Sequence, residues 1–194
     1  MLDIHRPDLV AGVAGSGTMG RGIVQVLAQC GVRTLVFDAK PGAAQAAKDA
    51  VGRTLVGLVQ KGRVAQGDAD QTLARIEIVD SLAAFKPCHV VVEAIVELLA
   101  PKQELFKTLE AIVADSCILA SNTSSLSVTA MASACARPGR VAGYHFFNPV
   151  PVMKIVEVVD GERTESWVGD ALAALARRYG HKPVRCKDTP GFIV

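Results

Sequence analysis

The sequence predicts an α/β domain in which a mostly parallel, doubly wound sheet carries helices on both faces. Short apolar stretches alternate with longer segments whose apolar residues recur at helical spacing, as in repeated strand–helix–strand units. A glycine-rich turn, GSGTMG, follows the first of these apolar stretches. The 194 residues are 50% hydrophobic and 21% charged, which suits one well-packed domain.

The glycine turn has the form G-x-G-x-x-G, with glycines at Gly15, Gly17 and Gly20 around Thr18 and Met19. In this motif the first glycine permits a tight turn and the second lets the backbone approach a pyrophosphate. The third lets the following helix pack closely on the strand. The motif alone also fits a tight turn that binds nothing, so its context decides.

That context is a complete strand–turn–helix–strand unit. A helical stripe runs from Met19 to Cys30, Gly31 is placed to end the helix, and a second strand covers 32–37. Asp38 follows that strand, 18 residues after Gly20, where an acid accepts hydrogen bonds from an adenosine ribose. Because a carboxylate there repels a ribose phosphate, the sequence favours NAD over NADP. We identify the unit as a Rossmann-type dinucleotide site.

The same periodicities predict the remaining elements in order. They are a helix from Pro41 to about Gly62, a short helix over 68–74, a strand over 76–79, a strand over 88–93, a helix opened by Pro101 and running to Val113, a strand over 117–120, strands over 140–146 and 154–159 joined by an NPVPV turn, a helix over 167–179 closed by Gly180, and an edge strand over 183–186.

Composition excludes several classes of protein. The net charge of +2 contains no basic block and aromatic residues are few, so we expect no nucleic-acid partner. No apolar run is long enough for a bilayer, and the N-terminus lacks the apolar core of a signal peptide. The five cysteines form no C-x-x-C, which indicates ordinary thiols in a reducing compartment. We therefore expect no membrane partner, no metal site and a cytoplasmic location.

Polar residues follow four of the predicted strands. They are Asp38, the range 93–97, the range 121–125 and the range 145–148. Ligands of open parallel sheets bind at the carboxyl ends of the strands. We therefore expect these residues to line one crevice together with the glycine turn.

His145 is the sharpest candidate for chemistry in that crevice. Oxidation of an alcohol by NAD needs a base for the hydroxyl proton, and histidine titrates near neutrality. Glu157 lies on the next strand and reaches His145 if the NPVPV turn reverses the chain. A carboxylate there fixes the tautomer of the imidazole. The alternative is a structural histidine with an unrelated surface glutamate.

The other polar residues have ordinary explanations as well. The hydroxyls of 121–125 either bond a substrate or nicotinamide, or cap a helix. Glu97 and Lys102 flank a helix start and are typical of solvated first-turn residues. Lys61 and Arg63 follow the long helix, either as partners of its dipole or as cations for a phosphate-bearing substrate.

The motifs together resemble one family. GSGTMGRGI, VVEAIVE, SNTSSL, HFFNPVPVMKIVEVV and KDTPGFIV occur in this order in L-3-hydroxyacyl-CoA dehydrogenases. The HFFNPVPVM and SNTSSL blocks separate the chain from related dehydrogenases that use a catalytic lysine. The resemblance implies reversible, NAD-dependent oxidation of the 3-hydroxyl of an acyl-CoA thioester.

The resemblance also implies roles for individual residues. His145 matches the catalytic base and Glu157 its partner acid. Ser124 matches the serine that contacts substrate and nicotinamide, and Asn148 matches an asparagine of the active site near the cofactor.

Four further positions carry over from the family. Glu97 and Lys102 match residues on the cofactor side. Thr54 and Lys61 fall where the family contacts coenzyme A, and Thr54 stands where a serine is common.

The resemblance divides the chain into a dinucleotide-binding domain over 1–186 and, over 187–194, the start of a connection to a helical domain. In the family that helical domain covers the substrate and forms a homodimer, and the resemblance implies that these 194 residues do not include it. The apolar end, Phe192 to Val194, is expected to be uncovered. Two alternatives remain, a non-catalytic NAD-binding module and a part of a multifunctional β-oxidation protein.

Overall fold

A computed structural model describes residues 2–193 and contains one eight-stranded sheet with helices on both faces. The strands are β1 (Val10–Ala14), β2 (Arg33–Phe37), β3 (Ile76–Ile78), β4 (Val90–Glu93), β5 (Ile118–Ser121), β6 (Val141–Phe146), β7 (Ile155–Asp160) and β8 (Lys182–Lys187). The helices are α1 (Thr18–Gln29), α2 (Ala43–Gln60), α3 (Gln66–Ala74), α4 (Leu99–Ile112), α5 (Val128–Ala132) and α6 (Ser166–Arg178), with short 3₁₀ turns at Leu82–Phe85 and Pro138–Arg140.

The strand order is β3-β2-β1-β4-β5-β6-β7-β8. The first six of these strands are parallel, β7 is antiparallel to β6, and β8 is parallel to β7. The order of β1 to β6 is that of a doubly wound dinucleotide-binding fold, in which the strand order reverses between β1 and β4. The predicted fold class is confirmed, and β8 is the predicted edge strand.

The central strands are apolar because helices cover both of their faces. All residues of β1, β4 and β5 are buried. One apolar cluster lies between the sheet and α1, α2 and α6, and a second lies between the sheet and α4 and α5. In α1, Ile23 and Leu27 are fully buried on the predicted stripe, and Gly31 ends the helix with a φ of +91°.

The predicted helix starts are wrong at two places. Pro41 does not enter α2, because Gly42 adopts a φ of +77° and the helix begins at Ala43. At α4 the helix begins at Leu99, two residues before Pro101, since a proline in the first turn loses no hydrogen bond.

The polar residues predicted at strand ends lie at or just after the ends of β2, β4, β5 and β6, which are close together in the sheet. The carboxyl ends of these strands lie at one edge of the sheet, the edge at which the crevice is expected. At the apolar chain end Phe192 is half-buried and the side chain of Ile193 is exposed, whereas Val194 lies outside the described residues. Within residues 2–193, none of the helices is both long and apolar enough to traverse a lipid bilayer.

Candidate active site

The three motif glycines of the turn between β1 and α1 differ in the space beside them, and only one of them has free space. Gly15 has a φ of +96°, and a β-carbon there would lie 2.5 Å from the carbonyl oxygen of Ala94. A β-carbon on Gly20 would lie 1.9 Å from the carbonyl oxygen of Gly15. A β-carbon on Gly17 would meet nothing within 4 Å. Packing alone therefore requires Gly15 and Gly20, whereas the space beside Gly17 is free for a ligand.

The surroundings of Gly17 suit a diphosphate. The first turn of α1 contains no acidic residue and Gly17 makes no side-chain cap, so backbone N–H groups and the helix dipole remain for an anion. A cavity of about 590 Å³ adjoins the turn. The charged side chains that line it are all cations, namely Arg21, Lys40 and Arg53. These residues fit the pyrophosphate of a dinucleotide.

Asp38, at the end of β2, is bonded to the glycine turn. Its Oδ2 accepts hydrogen bonds from the backbone N–H and the hydroxyl of Ser16 at 2.7 and 2.6 Å, and Oδ1 accepts from the N–H of Lys40 at 2.9 Å. Partial burial raises the pKa of the Asp38 carboxyl, but these hydrogen bonds outweigh burial and leave the pKa below its usual value. Asp38 therefore carries its negative charge in the lining of a cavity of about 540 Å³.

A buried ion pair lies beneath the ends of β4 and β5. Nζ of Lys102 is 2.5 Å from Oε1 of Glu93, and their side chains are 1% and 0% exposed. The carboxylate of Glu93 also accepts from the hydroxyl of Ser121 and the N–H of Ile95, each at 2.7 Å. Nζ of Lys102 lies 3.1 Å from Oε2 of Glu97, which is partly exposed. Lys102 is thus not a solvated first-turn residue. Its buried ammonium contacts Glu97, which in turn lines the cavity described below.

Glu97 joins this ion pair to the serine-rich segment after β5. Its Oε1 accepts from the hydroxyl of Thr123 at 2.5 Å and from the backbone N–H of Ser124 at 2.9 Å, with the Ser124 hydroxyl at 3.4 Å. Burial raises the pKa of Glu97, but the bonds from Thr123, Ser124 and Lys102 lower it more. The helix-cap role foreseen for the serine run belongs to Ser127, which accepts from the N–H of Ala130 at the start of α5.

His145 and Glu157 meet across the antiparallel pairing of β6 with β7. The register sets the two residues opposite each other, and Nδ1 of His145 is 2.7 Å from Oε2 of Glu157. Glu157 is 0% exposed and His145 is 12% exposed. Since Nδ1 faces a carboxylate it carries a proton, which leaves the lone pair on Nε2 free to accept one. The chain reversal on which the expected contact depended is therefore present.

One cavity of about 410 Å³ contains five of the fourteen predicted site residues, and Asp38 lies outside its lining. Its lining consists of Met19, Ala94, Ile95, Glu97, Asn122, Ser124, His145, Phe146, Phe147 and Asn148. The ring of Phe147 lies 4.6 Å from that of His145, centroid to centroid. The cavity therefore joins the glycine turn, through Met19, to the imidazole of His145.

The two residues expected at coenzyme A lie apart from this cavity, on α2. The Thr54 hydroxyl donates to the carbonyl of Ala50 at 3.0 Å, and Thr54 lines a second cavity of about 480 Å³ that also includes Asn148. The charged residues of that lining are the cations Arg21, Arg63 and Lys154. Lys61 ends α2 as its C-cap residue, outside this lining.

One residue of the site, Ser16, and one contact, that of Asn122 with Phe146, were not predicted from the sequence. Ser16 holds Asp38, and its position inside the glycine turn next to the acid-bearing strand was the available signal. Oδ1 of Asn122 accepts from the backbone N–H of Phe146 at 2.9 Å and so fixes the end of β6 beside His145. No sequence spacing indicates that contact, because it joins the loop after β5 to the end of β6.

The site has space for a dinucleotide phosphate at Gly17. It also has a proton acceptor, His145, in a cavity that is lined in part by Met19 of the glycine turn. This arrangement is typical of an NAD-dependent dehydrogenase domain. Comparison with known proteins agrees. The model of one family, described as the NAD-binding domain of 3-hydroxyacyl-CoA dehydrogenase, matches residues 10–189. The chain belongs to this family, and NAD is its cofactor.

Individual relatives are similar over nearly the whole chain. It is 42% identical over 182 residues to 3-hydroxyadipyl-CoA dehydrogenase of Escherichia coli, covering 94% of this chain and 38% of that protein. It is 43% identical over 183 residues to a probable 3-hydroxybutyryl-CoA dehydrogenase of Deinococcus radiodurans, covering 94% of this chain and 65% of that protein.

A solved structure supports the same relationship. The crystal structure of 3-hydroxybutyryl-CoA dehydrogenase from Escherichia coli matches with a TM-score of 0.94 at 41% identity, over 95% of this chain and 39% of that chain. The chain thus spans between about two fifths and two thirds of the length of these relatives.

Proposed function

We propose that this chain carries the cofactor site and the catalytic pair of an NAD-dependent dehydrogenase that interconverts (S)-3-hydroxyacyl-CoA and 3-oxoacyl-CoA. The observation that carries the proposal is the 2.7 Å contact between His145 and Glu157 at the wall of the cavity that Met19 and Ser124 also line. Bound NAD⁺ supplies the acceptor for the hydride that leaves C3 of the substrate.

His145 acts as the base in this proposal. As the C3–H bond breaks, the 3-hydroxyl loses its proton to Nε2 of His145 and the C3–O bond becomes a carbonyl. The imidazole is positively charged after this step, and the adjacent Glu157 carboxylate stabilises the charge. In the reverse direction, Nε2 returns the proton to the oxygen of the 3-oxo group.

Ser124 and Asn148 orient the reactants. Both line the cavity with His145, and each carries a side chain able to donate a hydrogen bond to a carbonyl oxygen. We assign Ser124 to the substrate oxygen and the nicotinamide, and Asn148 to the cofactor side of the cavity. Glu97 holds the Ser124 segment in place, and Lys102 supports Glu97 from below.

The remaining cofactor contacts are assigned to the glycine turn and to Asp38 at the end of β2. Gly15, Gly17, Thr18, Met19 and Gly20 form the turn at the pyrophosphate, and Asp38 accepts from the adenosine ribose. The free space beside Gly17 and the charge retained by Asp38 support these roles.

Coenzyme A belongs beside the second cavity in this proposal. The three cations of its lining suit the phosphates of the coenzyme, and Thr54 contributes a hydroxyl there. Lys61, at the end of α2, extends the positive charge along the same helix. We further propose a homodimer for the full-length form and a reducing, cytoplasmic compartment, which the five free thiols support.

The test is steady-state oxidation of 3-hydroxybutyryl-CoA by the natural protein and by His145→Gln, with His5→Gln as the control. His5 is exposed and remote in sequence from the site. We expect His145→Gln to lower kcat by about 10²- to 10⁴-fold, the usual contribution of a general base, while the Kd for NADH stays within a few fold. Turnover in His145→Gln equal to that in His5→Gln would exclude the base role.

A second candidate is an NAD-binding module without catalysis of its own, which needs only the open glycine turn at Gly17 and the cations beside it. The same assay separates the two. NADH binding without any oxidation of 3-hydroxybutyryl-CoA by the natural protein would support the module.

A further inference from the structure

The second oxygen of Glu157 has a partner outside the proposed catalytic pair. Oε2 faces His145, and Oε1 accepts the backbone N–H of Ile193 at 3.1 Å. The Glu157 side chain is fully buried, and a buried carboxylate oxygen without a donor is costly. The N–H of Ile193 therefore satisfies the carboxylate and holds it in the plane that faces the imidazole.

A tight turn over residues 189–192 delivers this N–H group. The N–H of Phe192 donates to the carbonyl of Thr189 at 2.9 Å. Gly191 and Phe192 both lie in the left-handed region, with φ of +77° and +53°. A bulky side chain rarely adopts that conformation, and such strain persists where the surroundings enforce it. The ring of Phe192 lies 6.0 Å from that of His145, centroid to centroid, so the turn also lies beside the imidazole.

Asp188 anchors the turn to the body of the domain. Its carboxylate accepts from the hydroxyl of Ser127 at 2.8 Å, the N–H of Val128 at 3.0 Å and the N–H of Thr129 at 2.8 Å. Its own N–H donates to the carbonyl of Asp160 at 3.0 Å, which continues the edge strand. Partial burial raises the pKa of Asp188, but the bonds from Thr129, Ser127 and Val128 bring it below the usual value.

We propose that the segment 188–193 is a positioning element for the His145–Glu157 pair. Asp188 fixes the position of the turn, and the N–H of Ile193 locks the Glu157 carboxylate toward Nδ1. The segment acts through Glu157 and touches no reacting atom. This inference rests on the proposed function, and it gives a role to residues that the family resemblance assigns only to a connection between domains.

The alternative is a purely structural role, in which Asp188 only caps the short helix α5. The two differ in what they change. A cap changes the free energy of unfolding, whereas a positioning element changes kcat and the hydrogen bond between Nδ1 and Glu157 as well.

The experiment compares Ile193→Pro with Ile193→Ala in the natural protein. Proline removes the N–H, whereas alanine keeps it and shortens the exposed side chain. We expect kcat of Ile193→Pro to fall about tenfold below that of Ile193→Ala, since small misplacements at a reacting centre are expensive, with the Kd for NADH within about twofold. The Nδ1–H proton of His145, followed by NMR, should exchange faster with water in Ile193→Pro.

A second variant, Asp188→Ala, guards against a proline that disturbs folding. It keeps the N–H of Ile193 and should reproduce the faster exchange and part of the loss in kcat. Equal kcat and equal Nδ1–H exchange in Ile193→Pro and Ile193→Ala would overturn the inference. That result leaves the proposed function intact if His145→Gln still loses turnover, so the two claims fail separately.

Discussion

Replacement of Lys102 by methionine should destabilise the domain more than any surface charge removal. Methionine keeps most of the unbranched apolar stem of the side chain but removes the ammonium that lies 2.5 Å from Glu93. The carboxylate of Glu93 would remain at 0% exposure with no cation. Loss of one partner of a buried pair costs about 3–5 kcal/mol, because the other charge stays buried.

The local hydrogen bonds place the expected value at the lower end of that range. Glu93 keeps its two other donors, the hydroxyl of Ser121 and the N–H of Ile95. We therefore expect a loss of about 3 kcal/mol, which for a domain of this size lowers Tm by roughly 6–12 °C.

Urea unfolding followed by circular dichroism measures the free energy of unfolding directly. The matched control is Lys107→Met on the same helix, whose ammonium lies 3.8 Å from Glu104 with both side chains mostly exposed. That variant should lose less than about 1 kcal/mol. Adding Glu93→Gln to Lys102→Met should recover stability, because the unpaired charge is removed. Equal losses in Lys102→Met and Lys107→Met would refute the reasoning.

Three further predictions concern the cofactor turn and acid stability. Gly17→Val should weaken NADH binding at least about tenfold with little change in Tm, whereas Gly20→Ala should unfold at lower temperature, since its β-carbon would lie 1.9 Å from the Gly15 carbonyl oxygen; equal effects on Tm would contradict this. Asp38→Ala should raise the Kd for NADH and reduce the preference over NADPH, which fluorescence titrations with both cofactors measure; an unchanged preference would remove Asp38 from the ribose. Folding lowers the pKa values of Asp38, Glu97 and Asp188. The stabilisation from these carboxylates is therefore complete above their unfolded pKa of about 4, and it is lost as the pH falls through the lower pKa values of the folded state. We expect Tm to decrease when the pH is lowered below about 4, and to decrease less steeply in Asp188→Asn.

The fold could be predicted from the sequence because its helices and strands have the local residue patterns typical of such elements. Valine-rich strands, amphipathic helices and the glycine turn each have a residue period or spacing that can be recognised in the sequence alone. The His145–Glu157 contact also followed, since it needs only one chain reversal between neighbouring strands.

The buried charges did not follow from the sequence. Lys102 lies in the first turns of a helix, where a lysine is normally solvated, and its burial depends on how α4 packs over the ends of β4 and β5. The contact between Asn122 and the N–H of Phe146 likewise depends on the approach of the loop after β5 to the end of β6. The start of α2 was misplaced for a local reason, because Gly42 takes a left-handed conformation after Pro41.

The most direct test of the central claim is a titration of the natural protein with NADH, followed by acetoacetyl-CoA. NADH fluorescence reports binding, and the loss of NADH absorbance reports hydride transfer to the 3-oxo group. We predict saturable binding and then oxidation of NADH that depends on acetoacetyl-CoA. A protein that binds no NADH, or whose bound NADH persists with acetoacetyl-CoA present, would contradict the account.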